Sequence, residues 1–182
     1  YTVGSGPFGV AVGDLNGDGK ADIAATNYTD SDLSVLLNNG NGTFAIKVDY
    51  GTVATPFGIA IGDLTGDGRA DLVTGSLGSA FASVFVNNGN GTFQTKVDYA
   101  TVGVGYGVAI GDVNSDGKVD IAATATSLAS VSVLLNNSKT VFFASAGTGG
   151  TVGIGTATPG AKLSVSGAVI ISARGTLANA TI

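Results

Sequence analysis

The chain has 182 residues, 30 of them Gly, with 12% charged residues, a net charge of −5 and all 13 acids Asp. Cys and His are both absent, which excludes a disulfide framework, a thiolate nucleophile, a Cys-based zinc site and any imidazole base or Ser-His-Asp triad. The acidic balance argues against a nucleic-acid partner, which needs a basic face, and no apolar run is long enough to span a bilayer as a helix.

The first predicted strand is Phe8–Gly13, with Val10 and Val12 on one face. The second is 21–26 (ADIAAT), short and small-sided, and the third is 33–37 (LSVLL), apolar and β-branched. The fourth is Phe44–Tyr50, with Phe44, Ile46 and Val48 on one face and Lys47 and Asp49 facing solvent. Period-two alternation bounded by Gly, Asn and Asp clusters is the strand signal. Asn41-Gly42 marks a tight turn between the third and fourth strands.

This unit returns twice. Phe8-Gly9 recurs as Phe57-Gly58 and Tyr106-Gly107, Gly13-Asp14 as Gly62-Asp63 and Gly111-Asp112, and Asn38-Asn39 as Asn87-Asn88 and Asn136-Asn137, each at an offset of 49. GNGTF and KVDY appear in the first two copies, whereas the third departs after Asn137 and its fourth strand is degenerate. Four strands in 40–50 residues, repeated, is the spacing of a β-propeller blade. The recurring Phe8, Phe57 and Tyr106 are expected to anchor blades. The Asn-x-Ser/Thr triplets at Asn27, Asn41, Asn90, Asn136 and Asn179 are expected to be turn asparagines rather than glycan acceptors.

Nine of the 13 Asp fall in three loops between the first and second strands: DLNGDGKAD (14–22), DLTGDGRAD (63–71) and DVNSDGKVD (112–120). Oxygen side chains occupy loop positions 1, 3, 5 and 9. Gly at position 6 permits the sharp turn, and the carbonyl of position 7 can point inward. A hard cation such as Ca²⁺ takes six to eight oxygens from such a cage. The candidate ligands are Asp14, Asn16, Asp18, Lys20 and Asp22; Asp63, Thr65, Asp67, Arg69 and Asp71; Asp112, Asn114, Asp116, Lys118 and Asp120. Lys20, Arg69 and Lys118 would serve through their backbone carbonyls alone. About three Ca²⁺ are expected, one per blade, each offsetting a loop of three Asp and one Lys or Arg. Thr65 makes the second site the weakest. No catalytic or organic-cofactor residues are expected.

The pattern FG…GD-x-(N/T)-x-D-G-x-x-D…NNGNGTF resembles the FG-GAP or VCBS-type repeat, the blade of integrin-α-like calcium-binding β-propellers. The resemblance covers residues 1 to about 146. It implies four-stranded antiparallel blades, Ca²⁺ in the loop after the first strand, an extracellular or surface location, and roles in adhesion or ligand binding, without enzymatic activity. The family usually has about seven repeats, and three cannot close a ring. A fragment, a six-bladed ring of two copies and an open head-to-tail row are all compatible with that number.

The segment 147–182 is expected to add two or three strands, from Val152/Ile154, Leu163/Val165 and Val169/Ile171, with a turn at Pro159-Gly160. VGIGTATPGAKLSVSG resembles a segment of phage and bacterial surface fibres, which implies an elongated oligomeric setting. Such a tail either donates a strand to a neighbour or caps the third blade. A chain that starts at Tyr1 and lacks Met is expected to be processed or partial, with a removed export signal as the leading reading and a truncated chain as the alternative.

The fold class read from these features is all-β: three tandem four-stranded antiparallel propeller-type blades, an incomplete propeller, with a short β-rich tail. The blades span about 1–50, 51–99 and 100–146. The expected function is that of a non-enzymatic, secreted or surface-located calcium-binding repeat protein, a structural subunit of a fibre, filament or adhesive assembly. Its expected partner is itself. The alternative is a lectin-like or adhesion module that binds a glycan or cell-surface ligand.

Overall fold

The computed structural model describes residues 1–136. The tail, and the fourth strand expected for the third blade, lie outside the described residues. Among the described residues eleven strands form three antiparallel meanders. The first blade is β1 (Pro7–Gly13), β2 (Asp22–Asn27), β3 (Asp32–Leu36) and β4 (Val48–Gly51), in spatial order 1-2-3-4. The second is β5 (Pro56–Gly62), β6 (Asp71–Ser76), β7 (Phe81–Phe85) and β8 (Val97–Ala100), in the same order. The third holds β9 (Val108–Gly111), β10 (Asp120–Ala125) and β11 (Ser130–Leu134), with one 3₁₀ turn at Thr126–Leu128. The structure therefore has the incomplete propeller-like architecture expected, with strands of sequential order and short connections.

The fourth strand differs from the sequence expectation. Phe44 forms an isolated bridge to Asn38, and the regular strand starts only at Val48, paired with Val35. The cause is the hairpin. Asn39 N donates to Thr43 O and Ala45 N to Leu37 O, which closes a tight loop with Gly40 and Gly42 at φ 83° and 82°. One extra residue then separates this loop's register from that of the strand, as in a bulge. Ile46 is left exposed at that break, and Phe93 bridges Asn87 in the same way in the second blade.

The apolar cores lie between blades. Leu15, Ala24, Leu33 and Val35 of the first blade pack with Leu72, Phe85 and Phe93 of the second, with Ile59 and Ile61 against them. Leu64, Val73, Ala82 and Val84 of the second blade pack with Ile121 of the third, with Val108, Ile110 and Leu134 against them. A buried Leu, Val or Phe contributes about 1.5–3 kcal/mol, so each joint between blades is a principal source of stability.

The inner strands show how one sequence pattern builds both sides of a joint. Side chains alternate across a strand. In β1, Gly9, Ala11 and Gly13 face forward, toward the next blade, and Val10 and Val12 face to the rear. A Cβ at Gly13 would sit 3.0 Å from Ile61 Cγ2, and one at Gly9 would meet the Phe57 carbonyl. In β5 the relation repeats: a Cβ at Gly58 would lie 2.6 Å from the Tyr106 carbonyl oxygen, and one at Gly62 would strike Ile110 Cδ1. Small residues on each forward face thus admit the large rear face of the following blade. Phe8, Phe57 and Tyr106 stack in a row across the three inner strands, with Phe57 and Tyr106 edge to face at 4.7 Å. The recurring aromatics therefore contact one another from blade to blade, with Phe8 and Tyr106 still exposed.

Candidate metal centre

Each acidic loop leaves the end of an inner strand and returns as the second strand of the same blade. Two left-handed residues bend it, at loop positions 4 and 6: Gly17 and Gly19, Gly66 and Gly68, Ser115 and Gly117, with φ between 60° and 82°. Gly serves five of the six positions because a Cβ is costly there.

The carboxylate at position 1 organises the turn. Asp14 Oδ1 accepts from Gly17 N at 2.7 Å and its Oδ2 from Gly19 N at 2.7 Å. Asp63 accepts from Gly66 N and Gly68 N at 2.6 and 2.8 Å. Asp112 accepts from Asp116 N and Gly117 N at 3.1 and 2.8 Å. The Gly19 and Gly117 amides hold the Asp14 and Asp112 carboxyls below the usual carboxylate range. Partial burial pushes the Asp63 carboxyl up, but the Gly68 and Gly66 amides outweigh it and the net shift is downward.

Positions 3 and 5 make further short turns. Asn16 Oδ1 accepts from Asp18 N, Asn114 Oδ1 from Asp116 N, and the Thr65 hydroxyl donates to Asp63. Asp18, Asp67 and Asp116 accept from the amide two residues on, in Lys20, Arg69 and Lys118. Lys20 Nζ pairs with Asp18 at 2.9 Å, which lowers the Asp18 carboxyl, and Arg69 approaches Asp67 at 3.7 Å. The Lys20 stem also lies over Gly40 and the Arg69 stem over Gly89, so acidic loop and hairpin loop touch at one end of each blade.

Position 9 has a role that the loop pattern did not announce. Asp22, Asp71 and Asp120 are completely or almost completely buried. Asp22 Oδ2 accepts from Leu15 N at 2.8 Å and Oδ1 from Asn38 N at 2.7 Å. Asp71 bridges Leu64 N and Asn87 N, and Asp120 bridges Val113 N and Asn136 N. One carboxylate thus ties the acidic loop to the turn after the third strand. Burial pushes the Asp71 carboxyl up; the Asn87 and Leu64 amides oppose that shift and do not cancel it.

The asparagines at 38, 87 and 136 were visible as a repeat, but their task was not. Asn87 Nδ2 donates to Ala70 O in its own blade and to Leu15 O of the preceding one, at 2.7 and 2.8 Å. Asn136 Nδ2 does the same for Val119 O and Leu64 O, at 3.2 and 2.7 Å. The acceptor across the joint is position 2 of an acidic loop, whose side chain (Leu15 or Leu64) is buried in the joint.

The repeat now has a structural signature. A model for the FG-GAP-like repeat matches residues 14–74 and 76–123. The chain belongs to the FG-GAP-like repeat family. The three FG-GAP units share their inner-strand, acidic-loop and asparagine positions at the spacing of 49. A lectin of Agrocybe aegerita, described as recognising non-reducing terminal N-acetylglucosamine, is 34% identical, with a TM-score of 0.47 over 63% of this chain and 31% of the lectin. The Photorhabdus luminescens Tc holotoxin pore is 19% identical, with a TM-score of 0.49 over 69% of this chain and 6% of that one. The chain thus spans under a third of the lectin and a small part of the toxin. No curated protein sequence matches it.

The donor chemistry of the three FG-GAP loops suits a hard cation in part. Positions 1, 3 and 5 offer oxygens at the solvent-facing rim, and the position-9 oxygens, each holding one amide, keep further lone pairs. Among the described residues no three carboxylates converge into a ready-made cluster. The reason is local: the position-9 carboxylate is drawn into the core by its two amides, and in the first two loops the position-5 carboxylate leans on the cation two residues later. The remaining rim donors are two carboxylates and one amide or hydroxyl oxygen, with the position-7 carbonyl beside them in sequence. This set fits a cation that completes its shell with water. Asp49 and Asp98 lie exposed beside Lys47 and Lys96, as the alternation predicts, and each also accepts a hydrogen bond from a buried serine, Ser34 or Ser83, at 2.6 Å, which braces the strands.

Proposed function

We propose that this chain is a non-enzymatic, extracellular calcium-binding repeat module that works by assembling, as a structural subunit of a surface fibre or adhesive array. The observation that carries the calcium reading is the threefold recurrence of one loop, in every copy of which the position-6 amide donates to the position-1 carboxylate. Asp14, Asp63 and Asp112 would be primary ligands, with Asn16, Thr65 or Asn114 and Asp18, Asp67 or Asp116 beside them. The carbonyls of Lys20, Arg69 and Lys118 would complete the protein share, and Asp22, Asp71 and Asp120 would support from below. When bound, Ca²⁺ supplies charge neutralisation to loops that each carry a net of −2. The chain's own residues convert that into order between blades. A loop held in its turn keeps the Leu15 or Leu64 side chain buried and its carbonyl aimed at the next blade's asparagine.

The non-enzymatic reading is supported by a chain without His, Cys or Glu, whose acidic residues are occupied in loops and braces. Among the described residues no helix is long and apolar enough to cross a membrane. Calorimetric titration of chelator-treated protein tests the metal role. About three Ca²⁺ per chain are expected, together with a higher melting temperature on binding. A melt identical in EDTA and in Ca²⁺ would remove it.

A further inference from the structure

We propose that the two ends of the blade row are the two halves of one head-to-tail joint, and that the occupant of each is a second copy of this chain. The proposal names the surface for the assembly reading above and rests on it.

The spacing of 49 lets each exposed position be compared with its own counterparts in the joints already formed. On the forward face of the third blade, Val113 is 56% exposed, whereas Leu15 and Leu64 at the same position are 1% and 9% exposed. Val131 is 59% exposed, whereas Leu33 and Ala82 are fully buried. Val133 is 51% exposed, against 2% and 7% for Val35 and Val84. A Cβ at Gly111 would meet nothing within 4 Å, whereas Gly13 and Gly62 are filled by Ile61 and Ile110.

The rear face of the first blade lacks the matching half. Val10 and Val12 are 66% and 63% exposed, whereas their counterparts Ile59 and Ile61, and Val108 and Ile110, are packed into the cores. Asn38 Nδ2 donates only to Ala21 O, and the second bond that Asn87 and Asn136 make to a preceding blade is missing.

Apolar contact, glycine socket and asparagine latch are thus all absent at both ends, and what one end lacks the other supplies. The halves sit on opposite ends of one row, so within the described residues neither meets the other. A second copy continues the two joints the chain already makes. Val10 and Val12 would enter beside Gly111, Phe8 would extend the aromatic row past Tyr106, and Asn38 would donate to the Val113 carbonyl. Such a contact is heterologous, so it closes a ring or propagates according to the rotation per blade.

The test uses the full chain in Ca²⁺, with Val10→Lys and Val131→Lys, one on each face and both at exposed positions. Sedimentation velocity should show wild-type protein larger than the 17.7 kDa monomer. Each variant alone should remain monomeric with an unchanged melt. An equimolar mixture should form a heterodimer near twice the monomer mass, because it restores one native pair of faces. Wild-type assembly that either variant preserves, or that the mixture does not rescue, would overturn this joint and leave assembly through another surface standing. A wild-type monomer at all concentrations would overturn the joint and the assembly reading together. A monomeric wild type whose melt falls in Val131→Lys would give that face to the chain's own remaining residues and equally overturn the proposal.

Discussion

Asp22, Asp71 and Asp120 show how much one buried carboxylate can organise. Each accepts two backbone amides, one from the acidic loop and one from the turn after the third strand of its blade. Leaving buried amides unpaired costs about 1–3 kcal/mol per group. Asp22→Ala is therefore expected to destabilise the fold by about 2–4 kcal/mol in urea unfolding, with or without Ca²⁺. Asp14→Asn keeps a rim side chain of the same shape and one acceptor oxygen. Its expected signature is loss of one Ca²⁺ equivalent in a titration, with a much smaller effect on the metal-free fold than that of Asp22→Ala. A larger metal-free loss in Asp14→Asn than in Asp22→Ala would contradict this division between rim and strut.

At the scale of the strand, the glycine face is the feature to probe. Gly58 and Gly111 both lie on the forward face of an inner strand, yet a Cβ meets backbone at 2.6 Å in one and nothing in the other. Gly58→Val is expected to cost about 3 kcal/mol or more, because the clash is with the backbone of the next inner strand. Gly111→Val is expected to leave the melting temperature of the monomer within a few degrees of wild type. The loops and braces also predict an acid response. Asp14, Asp18, Asp49, Asp63, Asp98 and Asp112 have lowered folded values, so their stabilisation is present above the unfolded value of about 3.9 and is lost as pH falls through the folded values. Asp71 is raised, so its contribution runs the other way: it is present below the unfolded value and is lost as pH rises through the folded one. Six groups against one predict a melting temperature that is flat near neutrality and falls below about pH 4, read by circular dichroism in metal-free buffer.

For the whole molecule, the joints between blades decide stability, and the acidic loops hold those joints. A ligand that binds the folded state alone stabilises it by about 2.7 kcal/mol at a hundredfold excess over its dissociation constant. With three loops, saturating Ca²⁺ is expected to raise the melting temperature by well over 5 °C relative to EDTA, and the triple variant of Asp14, Asp63 and Asp112 to Asn should lose that difference. A repeat protein buries each face only against a neighbour. The loop, the buried leucine and the asparagine latch therefore act as one unit, twice within the described residues.

Much of this was legible in the sequence. The period of 49, the four-strand unit and the acidic loops follow from local alternation and from Asp, Asn and Gly at turns, which act over a few residues. The strand face of Phe44, Ile46 and Val48 was not legible, because a one-residue slip after the hairpin depends on cross-strand pairing. Tertiary structure alone decided the fate of identical residue types. Val10 and Ile59 share a position and a chemistry, but only Ile59 has a blade before it. Asp14 and Asp22 open and close the same loop, but only Asp22 is covered, and burial turns it from a rim oxygen into a strut. Residue type sets what a side chain can do, and the neighbour that removes it from water sets what it does.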